Sequence, residues 1–429
     1  MNSINRRQFL KLAGGVGALV MSFGFASCSR QAGASARVVI IGGGFGGATC
    51  AKYLSRFDPQ LQITLVEPKQ TFVTCPFSNT VLGGLQDMDS ITHGYKKHEQ
   101  RGIKVIHARA NEIDPDGKKV KLDNGKTLEY DRLVVSPGID FRWEDVDGMT
   151  AADSKVLPHA WNGGPQTVIL HEQLTAMPDG GVVIIAPPAN PFRCPPGPYE
   201  RASMIAHYLK QNKPRSKLLI LDAKTKFSKQ PLFMQGWQQL YPGMIEWVGG
   251  ANGGRVTRVD PGNKRLYSEL GDEHKADVIN FIPPQKAGAI AHAAGLVDST
   301  GWCPVDQRTF ESTLHPGIHV IGDASLAGAM PKSGFAANSQ GKVCAAAIVS
   351  AIGNSKMPEP SYVNTCYSLV SPDYGISVAA VYRYAKDKGI YKVEESGGVS
   401  PMDADNEFRE KEARYARGWY ASITSDTFG

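Results

Sequence analysis

The sequence predicts an α/β protein of two Rossmann-like dinucleotide-binding lobes followed by a C-terminal α+β domain, and three observations carry that prediction. A β-branched run, Val38-Val39-Ile40-Ile41, leads straight into a glycine turn and a helix-like segment. A second αβ stretch opens at Gly181-Val182-Val183-Ile184-Ile185 and continues to Lys217-Leu218-Leu219-Ile220-Leu221-Asp222. Ile318-His319-Val320-Ile321-Gly322-Asp323 then returns the chain to the first lobe, before a linker at Met357-Pro358-Glu359-Pro360. Strands alternating with helical patterns are the signature of parallel sheets covered by helices.

With 429 residues, 42% hydrophobic and 21% charged, the chain can build two or three domains with real cores. The expected divisions are 37–149 with 291–356 for the first lobe, 150–290 for the second, and 357–429 for the C-terminal domain. The last is small enough that its core is marginal unless it packs on its neighbours. The formal net charge is +6, but the basic residues form no block, which excludes nucleic acid as a partner.

Residues 1–36 read as a twin-arginine export signal. Arg6-Arg7 precede an apolar stretch over residues 12–26 that is broken by glycines and too short to cross a bilayer, for which about 20 residues are needed. Ala34-Ser35-Ala36 suits cleavage, and Phe25-Ala26-Ser27-Cys28 is a poor lipid-attachment box. A periplasmic location follows, with membrane contact at most through a lipid at Cys28.

The first lobe begins with strand 38–41, the turn Gly42-Gly43-Gly44-Phe45-Gly46-Gly47, a helix over 48–56 and a strand over 62–66 ending in Glu67. Gly42 permits the tight turn, Gly44 lets the backbone approach a pyrophosphate, and Gly47 allows helix to pack on sheet; Glu67 can accept from ribose hydroxyls. A strand near 104–107, a hairpin over 118–128 turning at Asp123-Asn124-Gly125, and a strand over 132–136 stopping at Pro137-Gly138 follow.

In the second lobe the turn after the first strand is Ile185-Ala186-Pro187-Pro188-Ala189-Asn190, whose prolines remove backbone donors. NAD(P)H is therefore not expected as electron source. A helix is predicted over 201–210 with Glu200 at its start, where a carboxylate also complements the helix dipole. A second helix is predicted over 339–351. Residues 407–423 mix charges with Phe408, Tyr415, Trp419 and Tyr420 at helical spacing, an aromatic stripe expected to pack the tail onto the first lobe. A docking face or a membrane-surface helix is the weaker reading of that stripe.

The seven cysteines, Cys28, Cys50, Cys75, Cys194, Cys303, Cys344 and Cys366, include no Cys-x-x-Cys and no Cys-x-x-Cys-His. A structural zinc site and a covalently attached haem are thereby unsupported. An isolated cysteine is usually a small buried hydrophobe, the reading adopted for Cys303. Around Cys194, Pro195-Pro196-Gly197-Pro198 argues instead for a rigid exposed loop, where an inert thiol would be an oxidation liability.

The segment 313–323 resembles the second flavin fingerprint of two-dinucleotide-domain flavoproteins, and Val134-Val135-Ser136-Pro137-Gly138 resembles their intervening strand-turn element. Thr74-Cys75-Pro76, the stretch 192–201, Asn364-Thr365-Cys366-Tyr367, Gly301-Trp302-Cys303-Pro304, Pro331-Lys332-Ser333-Gly334 and Asp426-Thr427-Phe428-Gly429 together resemble the flavoprotein subunit of flavocytochrome c sulfide dehydrogenase over about residues 38–429. The resemblance implies a disulfide-reductase-like arrangement of the lobes. It implies FAD held by Gly42, Gly44, Gly46, Gly47, Glu67, Ala110, Ser136, Gly138, Gly322, Asp323, Lys332 and Ser333, and bonded through Cys75 to the flavin. It implies a redox-active disulfide between Cys194 and Cys366, proton handling by Glu200, sulfide as substrate, and a c-type cytochrome subunit carrying the haem. Pro76-Phe77 departs from the family's familiar pair after the thioether cysteine.

The chemistry is coherent in its own terms. Hydrosulfide can open a disulfide to give a persulfide and a thiolate, and a flavin can split an electron pair for a haem. A sulfide:quinone reductase-like enzyme is the alternative within the same chemistry. A non-catalytic flavin-bearing factor of sulfur metabolism is the alternative outside it.

Overall fold

The structure, a computed structural model, describes residues 35–429. The export-signal and Cys28 expectations lie outside these residues. In chain order the principal elements begin with β1 (Arg37–Ile41), α1 (Phe45–Phe57), β2 (Gln62–Val66), β3 (Lys104–Ile106) and β4 (Arg132–Val135). The middle of the chain gives α2 (Pro165–Ala176), β5 (Val182–Ala186), α3 (Gly197–Asn212), β6 (Lys217–Leu221), α4 (Gln230–Leu240), β7 (Ile245–Val248) and β8 (Val278–Phe281). The last third gives β9 (Ile318–Val320), α5 (Gly334–Ile352), β10 (Ser361–Ser371), β11 (Tyr374–Ala385), β12 (Gly389–Lys392) and α6 (Asn406–Phe428).

The first sheet is parallel throughout, in the order β9-β4-β1-β2-β3. Val38 to Ile41 are all buried, as expected for a central strand covered on both faces. The second sheet is also parallel, in the order β7-β6-β5-β8. Each lobe adds a three-stranded antiparallel sheet, at 110–129 in the first and 256–275 in the second. An antiparallel pair, Ile139–Phe141 with Gln285–Ala287, joins the two lobes. Strand order reverses beside β1 in the first lobe and beside β5 in the second. Such reversals open a crevice at the carboxyl ends of the strands, and both matter below.

Several expectations are corrected. The predicted helix 201–210 begins at Gly197, because the proline-rich run Pro195–Pro198 fits a helix's first turn, where a missing N–H costs nothing. The helix predicted over 339–351 begins at Gly334, where Ser333 caps it by accepting from Ala336 N at 3.1 Å. Asp323 lies in a short 3-10 turn, Gly322–Ala324. The C-terminal region, unassigned between its linker and its helix, forms a three-stranded antiparallel sheet, β10-β11-β12, with α6 against β11.

Candidate functional site

At the first reversal, Gly42 (φ 98°) ends β1, and a Cβ there would sit 2.2 Å from the Ser136 carbonyl oxygen at the end of β4. A Cβ on Gly47 would fall 1.9 Å from Gly42 O, so neither position admits another residue without moving backbone. Gly44 stands immediately before α1, whose N-terminus therefore faces the turn. Gly46 packs against the Ser136 side chain. Glu67 Oε2 accepts from Gly43 N at 2.9 Å, which places the carboxylate on the turn. Ala110 is buried at the start of the strand Ala110–Asp114. Gly42, Gly44, Ser136, Pro137 and Gly138 remain half-buried, so the crevice between β1 and β4 is not filled.

The second reversal is built differently. After β5 the chain runs through Pro187 and Pro188 to Cys194, which has left-handed backbone (φ 57°), and then enters α3. The loop is tied to the first lobe at Lys332 and Asp323, and to the strand pair between the lobes at Gln285. Cys194 N donates to Lys332 O at 2.8 Å, Arg193 N donates to Gln285 Oε1 at 2.9 Å, and the Arg193 guanidinium lies 4.0 Å from the Asp323 carboxylate. Cys194 is half-buried rather than exposed as its prolines suggest, because these ties draw the loop inward. The Lys332 ammonium is spent on Asp323 O (2.7 Å) and Ser325 O (3.0 Å), over the Trp302 ring, and burial pulls it down to about 8. Its position fixes the Gly322–Ala324 turn. The Ser333 hydroxyl donates to Asn364 Oδ1 at 2.6 Å, joining α5 to β10.

Cys366 comes from β10, whose alternation places Asn364, Cys366 and Ser368 on one face. Cys194, Cys366, Cys75 and Glu200 form one electrostatic cluster: Cys366, Glu200 and Cys75 each push the Cys194 thiol further up after burial has raised it. Burial also raises Cys366, and it raises Glu200 above the usual carboxylate range. Glu200 Oε1 accepts from Leu369 N (3.1 Å) and Oε2 from Asn79 Nδ2 (3.3 Å). Cys75 Sγ donates to Trp161 O at 3.0 Å. All six described cysteines are free thiols, so the structure shows the pair in its reduced form; the disulfide expected between Cys194 and Cys366 is not formed in it. Cys75, Cys194 and Cys366 are each half-buried. Cys303 is fully buried, its thiol raised to about 12 by burial, in keeping with an inert hydrophobe.

The polar atoms left over fit a flavin nucleotide. Asp323 Oδ1, Arg193 Nε and Gln285 Nε2 are buried without a hydrogen-bond partner, and their residues are neighbours between the glycine turn and Cys194. Buried polar atoms are rarely orphaned in a native protein, and a hydroxylated chain with a polar ring would satisfy all three.

Sequence reasoning missed the supports. Arg201, almost fully buried, donates to Asn79 Oδ1 (3.1 Å), Asn280 Oδ1 (2.9 Å), His159 O (3.0 Å) and Ala160 O (2.7 Å), and lies over the Trp161 ring. Burial lowers it to about 10. Its spacing from Ile205, one turn on along the buried face of α3, was the available signal. Lys229, set between Ser228 and Gln230, carried no such signal. Phe77, Ala160, Cys194 and Lys229 are all non-glycine residues with left-handed backbone around this cluster, strain of about 1–3 kcal/mol each that tends to gather at functional sites. The aromatic stripe of α6 divides. Tyr420 stacks on Phe77 (4.5 Å) and Trp419 on Phe335 (6.1 Å), whereas Phe408 and Tyr415 face solvent.

Two parallel-sheet lobes with a glycine turn on the first and a sulfur cluster facing it define the architecture of the two-dinucleotide-domain flavoproteins. Family models described as the sulfide dehydrogenase (flavocytochrome c) flavoprotein chain, central, the flavocytochrome c sulphide dehydrogenase, flavin-binding, and the pyridine nucleotide-disulphide oxidoreductase match residues 167–283, 358–428 and 36–162. A sulfide dehydrogenase (flavocytochrome c) flavoprotein chain from Chlorobaculum thiosulfatiphilum is 69% identical over 45 residues, 10% of this chain and 94% of that sequence. The chain belongs to the family of flavocytochrome c sulfide dehydrogenase flavoprotein chains. A mitochondrial sulfide:quinone oxidoreductase of Dictyostelium discoideum is 23% identical over 67% of this chain, and the match spans 65% of that relative's length. Among solved structures, the sulfide:quinone oxidoreductase of Aquifex aeolicus superposes with a TM-score of 0.71 at 20% identity, covering 92% of each chain. A ferredoxin reductase of Rhodopseudomonas palustris gives 0.64 at 18%, covering 85% of this chain and 90% of that one.

Proposed function

We propose that this chain is the FAD-bearing subunit of an exported sulfide:cytochrome c oxidoreductase. The observation that carries the reading is the clustering of Cys194, Cys366, Cys75 and Glu200, with Cys194 and its neighbour Arg193 tied through Lys332 and Asp323 to the lobe that carries the glycine turn. Gly42, Gly44 and the α1 N-terminus would hold the pyrophosphate, Asp323 the ribityl chain, and Cys75 the flavin ring through a thioether. A bound flavin accepts an electron pair and releases it singly, which is what a haem requires.

The chain's own residues do the rest. In the oxidised enzyme Cys194 and Cys366 form a disulfide. Hydrosulfide attacks one sulfur, the S–S bond breaks, and its electron pair leaves on the other sulfur as a thiolate. Glu200, held by Leu369 N and Asn79, exchanges the proton released as the persulfide ionises. The Pro187–Pro188 turn lacks the backbone donors that a pyridine nucleotide would need after β5, which supports sulfide rather than NAD(P)H as the electron source. The haem belongs to a c-type cytochrome subunit.

Anaerobic addition of sulfide should bleach the flavin, and cytochrome c should restore its colour. Flavin that stays oxidised with sulfide, or that responds equally in Cys194→Ser and Cys366→Ser, would sink the reading. The match to sulfide:quinone oxidoreductases favours one second reading, a quinone acceptor; reoxidation by a quinone analogue but not by cytochrome c would establish it. No helix among the described residues is long and apolar enough to cross a membrane.

A further inference from the structure

Lys229 is buried with no carboxylate within ion-pair distance among the described residues. Its ammonium donates to Ser368 Oγ at 2.8 Å and, at 3.5 Å, to Ile376 O, leaving its charge uncompensated by either. A buried cation held by a hydroxyl, a carbonyl and the Phe233 ring (5.7 Å), with no carboxylate against it, is costly, and its backbone is left-handed as well (φ 60°). Ser368 lies two residues beyond Cys366 on the same face of β10, so the ammonium stands along that face toward the sulfur. Of the charge interactions that Lys229 makes, the largest is with Cys366, and those with Glu200, Cys194 and Glu412 follow.

We propose that Lys229 is a positioning residue whose ammonium holds negative charge on sulfur at Cys366. The proposal rests on the sulfide-oxidising reading given above. When hydrosulfide bonds to the Cys194 sulfur, the pair from the broken S–S bond goes to Cys366, which departs as a thiolate beside Lys229. When it bonds to the Cys366 sulfur instead, the thiolate forms on Cys194, and the new persulfide on Cys366 loses its proton to the same effect. In either case an anion at position 366 meets a cation already desolvated and in place. The two sulfurs are thereby made unequal. Lys229 acts more strongly on Cys366 than on Cys194, whose other charged neighbours are Glu200, Cys75 and Arg193.

The test measures thiol reactivity in the reduced, flavin-loaded protein, by the rate of iodoacetamide labelling of each cysteine against pH, read peptide by peptide. Lys229→Met and Lys229→Gln should move the Cys366 profile upward by about one pH unit, or about tenfold slower labelling below the midpoint, and Lys229→Arg should restore it. Gln keeps a donor for Ser368, so a purely structural role predicts a normal profile in that variant. An unchanged Cys366 profile in the Gln and Met variants, or an equal shift at Cys194, overturns the proposal. Sulfide bleaching of the unsubstituted protein is scored separately, so failure of the functional reading is distinguished from failure of this one.

Discussion

The two strand-order reversals share a layout and differ in what fills them. At the first, Gly42 and Gly47 bring bare backbone and a helix N-terminus to the crevice between β1 and β4. At the second, Pro187 and Pro188 take away donors, and the connection to α3 delivers Cys194 and Arg193 to the neighbouring lobe. One turn offers bare backbone beside a helix N-terminus, and its counterpart carries two prolines where backbone donors would stand. The sheet supplies the place, and the first few residues after the strand decide what binds there.

Exchanging those residues is the strongest way to break the comparison. Gly47→Ala places a methyl 1.9 Å from Gly42 O, and purified protein should contain almost no flavin and lose about 3 kcal/mol of stability in urea unfolding. Pro187→Gly with Pro188→Gly, at the equivalent place, should leave flavin content unchanged. Reduction of the flavin by NADH in that double variant would show that the prolines alone exclude the nucleotide.

Next in size is Glu200. Its folded pKa is raised, so the native state favours the protonated form, and its contribution to stability is present below about 4.5 and falls as pH rises through the folded value. Glu200→Gln keeps the acceptor for Leu369 N. It should slow sulfide bleaching by about 100-fold and remove an inflection above pH 4.5 from the rate profile. An unaltered profile would reduce Glu200 to a cap on α3. Cys75→Ser should have a smaller effect on turnover but a plain one on attachment: yellow colour precipitates with the acid-treated parent protein and stays in the supernatant of the variant.

The first lobe was readable because its signals are local. A β-branched strand, glycines at fixed spacing and an acid at the end of the next strand lie within 30 residues, and each needs only its neighbours to be interpreted. The sulfur cluster was reached through resemblance, since Cys194 and Cys366 are joined by tertiary packing that spacing does not encode. Lys229 and Arg201 escaped for the same reason. A cation with polar neighbours in sequence, such as Lys229 between Ser228 and Gln230, looks like a solvated surface residue until tertiary packing removes the water. The hairpin of β10 and β11 was not legible because it does not alternate apolar with polar: from Tyr362 to Ser368 the buried positions include Asn364 and Ser368, while Val363 is exposed.

The smallest expected effect concerns how the second crevice is held. His159 Nδ1 accepts from Trp161 N at 3.0 Å, and the Trp161 carbonyl accepts from Cys75 Sγ, so the imidazole must stay neutral for this link to hold. Burial, with Arg201 and Arg193 nearby, lowers it to about 4. A depressed pKa means that the unfolded chain binds the proton first, so its contribution is present above pH 6.5 and lost on acidification toward 4. The loss is at most about 3 kcal/mol. His159→Asn, which keeps an acceptor but cannot titrate, should flatten the urea midpoint between pH 6.5 and 4 by part of that amount. Equal losses of urea stability on acidification in parent and variant would place the acid sensitivity on a group other than His159.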